Sequence, residues 1–123
     1  MMYRHATVEP VIDQDPVLGH LSHVAMAVDR LCFHESTIPS SSLRIQLRRA
    51  AVEALSHAAQ ALEPVSDDLH RQLLKRTLGA LYQLETLTRV AGKTGSVAEG
   101  DAVETVAMVE YAAAVVRLEL EAA

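Results

Sequence analysis

His20 and His23, Glu53 and His57, and Asp67 and His70 stand three or four residues apart, the spacing that puts two side chains on one face of a helix. Such pairs could begin a metal site. A di-iron bundle, however, needs Glu-x-x-His on each of two helices and a further carboxylate on each of two others. No Glu in this chain has a His three residues on, so these residues read as surface or helix-end polar groups and no metal is expected. Glu85 and Glu110 fall near apolar stripes, where a satisfied buried carboxylate or a subunit contact is favoured over an acid–base pair. Cys32 lies between Leu31 and Phe33 with no cation obvious beside it, and reads as a packed small hydrophobe rather than a nucleophile. Gly-rich phosphate loops, serine elbows and CxxC pairs are absent from the sequence. No catalytic residue, no cofactor and no enzyme class is expected.

The elements that must carry these residues are helices. At 123 residues the chain has the length of one domain. With no Trp and a single Phe, its core must be aliphatic and its helices closely spaced, which leaves little room for a cofactor. One Cys excludes an internal disulfide and fits a reducing compartment. No apolar run reaches the roughly 20 residues a membrane helix needs, and the first residues lack the apolar centre of a signal peptide. A cytoplasmic, soluble protein is expected.

Asp15-Pro16 is an N-cap followed by proline at the first helical position, after which Val17, Leu21, Val24, Val28 and Leu31 form one stripe. Ser40, Ser41 and Ser42 cap a second helix with Leu43, Leu47, Ala50, Ala54 and Ala61 on its apolar face, beside Ala51, Leu55, Ala58 and Leu62. Ser66-Asp67-Asp68 opens a third, with Leu69, Leu73, Leu74, Leu78, Leu81, Leu84, Leu87 and Ala91, and Gly92 as its left-handed terminator. Asp101 and Glu104 form a capping box for a fourth, striped by Val103, Val106, Val109, Ala113, Val116 and Leu120. The helices are expected at 16–36, 41–62, 67–92 and 102–121. Packed with short links, they predict an all-α, antiparallel up-down-up-down four-helix bundle over 15–123, with 1–14 as a flexible arm.

Charge is unevenly divided. Residues 40–62 and 66–93 are each net +2, whereas 97–123 are −5 and 1–36 are −3. A basic face could meet nucleic-acid phosphates, or opposite faces could bring copies of the chain together. Only Tyr82 offers an aromatic ring near the basic positions, which weakens the first reading. Arg49, four residues before Glu53, belongs to a polar face with Gln46, Ser56 and Gln60. Arg44 and Arg48 lie on a different face that continues into Val52, Leu55 and Ala59, either a strip facing a neighbouring subunit or a mere widening of the core stripe.

Gln46-Leu47-Arg48-Arg49-Ala50-Ala51-Val52 resembles the Gln-Ile-Arg-Arg-Ala-Ala-Val signature of the small four-helix-bundle proteins encoded in intervening sequences of large-subunit ribosomal RNA genes, once labelled ribosomal-protein-like. The accessory proteins of diversity-generating retroelements belong to the same family. Leu78-Gly79-Ala80-Leu81-Tyr82-Gln83-Leu84-Glu85-Thr86 is similar to that family's Leu-Gly-Ser-Leu-x-Glu-Leu-Glu-Thr, and the resemblance spans about residues 17–121. Its motif positions here are Gln46, Ala50, Ala51, Gly79, Glu85 and Thr86. Where the family has Ser-Ile and then Asn-Ile-Ala-Glu-Gly, this chain has Glu53-Ala54 and His57-Ala58-Ala59-Gln60-Ala61, so the Glu-Gly is lost. The retroelement members are basic and bind nucleic acid and a reverse transcriptase; this chain is acidic, and that property carries over poorly. The resemblance implies a homopentameric ring. A non-enzymatic scaffold that assembles with itself is therefore expected, with Arg44, Arg48, Arg49, Val52 and Leu55 as interface candidates. An RNA- or DNA-binding adaptor using the two basic helices is the alternative.

Overall fold

A computed structural model describes residues 15–34 and 41–123. Among the described residues there are four helices in chain order: α1 (Pro16–His34), α2 (Ser41–Ala61), α3 (Asp67–Lys93) and α4 (Glu99–Ala122). The expected arm at 1–14 and the link through Pro39 and Ser40 lie outside the described residues, as do the last two positions of the first expected helix.

Local chemistry sets the helix ends. The Leu18 N–H donates to Asp15 Oδ1 at 2.9 Å, so Asp15 is the N-cap and Pro16 loses no hydrogen bond. Ser66 accepts from the Leu69 N–H, with Asp67 and Asp68 against the positive end of the α3 dipole. At the other end of α3 the sequence expectation is corrected. Gly92 is inside the helix, and the left-handed residue is Gly95, with φ 76°. The Ser96 N–H reaches back to the Ala91 carbonyl at 2.9 Å and the Gly95 N–H to Gly92, which together tie off the last carbonyls.

Gly92 is needed for another reason. A Cβ there would come within 2.8 Å of Ala102 Cβ, so α3 and α4 approach too closely at this level for any side chain. The capping box at Asp101 and Glu104 is likewise overturned. α4 begins at Glu99, after an Ala98 cap with no side-chain hydrogen bond, and Asp101 is already in the first turn. Buried Val97 anchors the preceding turn, so the helix starts as soon as the chain leaves it. The last carbonyls of α4 are met from outside: Arg71 Nη1 donates to the Leu120 and Ala123 carbonyls at 3.1 and 3.2 Å.

α1 packs on α2 and α4, and α3 packs on the same two helices; among the described residues the diagonal pairs make no close approach. The core inside this four-sided bundle is aliphatic, with Leu21, Leu47, Leu81, Leu84, Val109 and Val116 fully buried. Five alanines of α2 and three of α4 line it, which lets the helices sit close together. The buried hydroxyls of Thr77 and Thr88 donate to the carbonyls of Leu73 and Leu84, four residues back, so neither is stranded. Three expected stripe residues are outside the core. Leu62 falls in the turn after α2, Leu69 in the first turn of α3, and Val103 faces out because the α4 stripe runs through Ala102, Thr105, Val106 and Val109. No helix is long and apolar enough to cross a membrane, among the described residues.

Candidate interaction surfaces

The three arginines divide around α2. Arg48 Nη2 lies 3.3 Å from Asp29 Oδ1, across the seam with α1. Both side chains are more than half exposed, so the pair fixes the seam only weakly. Arg44 belongs to the same seam, where Cys32 Sγ approaches its carbonyl oxygen at 4.0 Å. Cys32 is buried, and burial pushes its thiol above the ordinary value. The Arg48 and Arg44 guanidiniums pull the other way without prevailing. The sequence did not show these two cations at Cys32, because both arginines act on it across a helix–helix seam rather than along the chain.

Arg49 lies on the opposite flank. It lines an open groove of about 650 Å³ between α2 and α3, together with Ser42, Ile45, Gln46, Ala50, Glu53 and Gln83. Gln46 Nε2 donates to Ser42 Oγ at 3.3 Å along its wall. Arg49 and Glu53 share the groove. The face joining Arg44 and Arg48 to Val52 and Leu55 is split: Leu55 packs against the core, while Val52 is 60% exposed. Widening of the core stripe is thus right for Leu55 and wrong for Val52.

The motif positions fall into two groups. Ala50 and Ala51 are buried core, and Gln46 stands on the groove wall. Gly79 and Thr86 are exposed, four residues before and three after Gln83, and so share its face of α3. Glu85 is at the opposite seam. Arg89 grips it through Nε and Nη2 at 3.2 and 2.9 Å, and Nη2 also reaches Glu110 at 3.2 Å, tying α3 to α4. Neither carboxylate points into the core: Glu110 is half exposed and Glu85 retains 23% exposure. Nearby, Arg117 Nη1 donates to the Tyr82 hydroxyl at 2.9 Å.

The histidine pairs do not converge. The His20 ring meets Tyr111 edge-on with centroids 4.7 Å apart. His57 has its Nδ1 buried without a hydrogen-bond partner, and His70 Nδ1 lies 2.8 Å from the Ala61 carbonyl. Among the described residues no three His, Cys, Asp or Glu side chains gather as metal ligands.

The helices, not only the segments, carry the charge division. α2 and α3 are each net +2 and α4 is −5. α1 holds Asp29 against Arg30 and is neutral, although residues 1–36 together are −3. Its segment owes its negative charge to residues outside the helix, among them Asp15 at the cap. Among the described residues the geometry therefore defines an all-α bundle whose distinctive chemistry is in its charged surfaces. No family model matches the chain, and no curated protein matches it.

Proposed function

We propose that this chain is a non-enzymatic, cytosolic scaffold whose four helices run antiparallel, up-down-up-down, and which assembles with copies of itself into a homo-oligomeric ring. The observation that carries this reading is the separation of charge: one helix of −5 on the outside of the same small bundle as two helices of +2. Opposite charges on different faces of one molecule favour head-to-tail association, which makes a ring where the rotation between copies closes. A five-membered ring, and membership of the intervening-sequence protein family, rest on the arginine and Leu-Gly motifs.

The antiparallel course is supported by the cross-seam contacts, in which one residue number rises as the other falls. Cys32 meets Arg44 and Asp29 meets Arg48; Arg71 meets Leu120, Tyr82 meets Arg117, and Arg89 meets Glu110. Native mass spectrometry of the full chain tests the assembly. A fivefold mass is expected, and a monomer at all concentrations would overturn the reading.

The alternative, a nucleic-acid adaptor on α2 and α3, draws on the same +2 helices. Its three α2 arginines, however, are divided between two flanks, and Arg48 is already paired with Asp29. Titration with structured RNA and duplex DNA at two salt concentrations separates the readings. An adaptor loses affinity by about one power of salt per phosphate contacted, whereas a scaffold of this charge binds neither.

A further inference from the structure

We draw no further inference here: the strongest candidate, the exposed apolar ridge on the outward side of α4 formed by Val103, Tyr111 and Leu118, carries nothing because nothing in the structure shows what covers it.

Discussion

α3 and α4 are the two longest helices and lie side by side, yet they distribute their apolar residues in opposite ways. α3 gathers leucines on one side, with Leu73, Leu74, Leu81 and Leu84 buried, and its outer side is mostly polar or charged. α4 uses smaller residues, valine and alanine, and divides them between the core and the outside. The bundle therefore completes α3 and leaves α4 half covered. A strong one-sided pattern marks a helix satisfied by its own fold, and a weak pattern in an apolar helix marks one with a second surface to place.

The sharpest way to break this comparison is to remove one leucine from each helix. Leu84→Ala, at a fully buried position of α3, should cost about 2–5 kcal/mol in urea unfolding. Leu118→Ala, 65% exposed on α4, should stay within about 0.5 kcal/mol in dilute monomer. Equal losses would mean that the α4 ridge is covered within the chain itself.

Glycines of α3 offer the next contrast, with opposite signs. Gly92→Ala drives a methyl into Ala102 and should destabilise by about 1–3 kcal/mol. Gly79→Ala meets open space and should stabilise the monomer by about 1 kcal/mol. Thermal melts of the two single variants read both signs.

A smaller effect is expected where the two helices are joined by charge. Arg89→Ala releases both Glu85 and Glu110, but the arginine is half exposed, so a double-mutant cycle with Glu110→Gln should return less than about 1 kcal/mol and shrink as salt rises. The smallest effect lies across the bundle at Cys32. Because burial raises its pKa, the folded chain holds the thiol proton more tightly than the unfolded chain. That contribution is full below the unfolded thiol pKa and is lost as pH rises through the folded one. Stability of the natural chain should therefore fall more steeply in the alkaline range than that of Cys32→Ala, as measured by denaturation at a series of pH values.

Helix number, order and most boundaries were legible in the residues, because caps and stripes act within a turn or two of chain. Asp15-Pro16 and Ser66 behave as local rules require, and the stripe of α1 is buried at every expected position. Errors came where two signals of the same kind competed. Gly92 and Gly95 both suit a helix end, and only the approach of α4 shows that the first is needed for closeness and the second for its left-handed backbone. Val103 fits a stripe as well as Ala102 does, since α4 has an apolar residue on either side.

The sequence by itself determined the four helices of the described residues, an aliphatic core and a chain whose charge is divided between its helices, since these depend on composition and on periods of three and four. Only the tertiary structure decided which flank of α2 each arginine occupies, that Arg44 and Arg48 surround Cys32, that Arg89 bridges Glu85 and Glu110, and that the outer side of α4 stands uncovered. Each of those facts depends on which helix lies beside which. Spacing along one helix says which residues share a face, but not what that face meets.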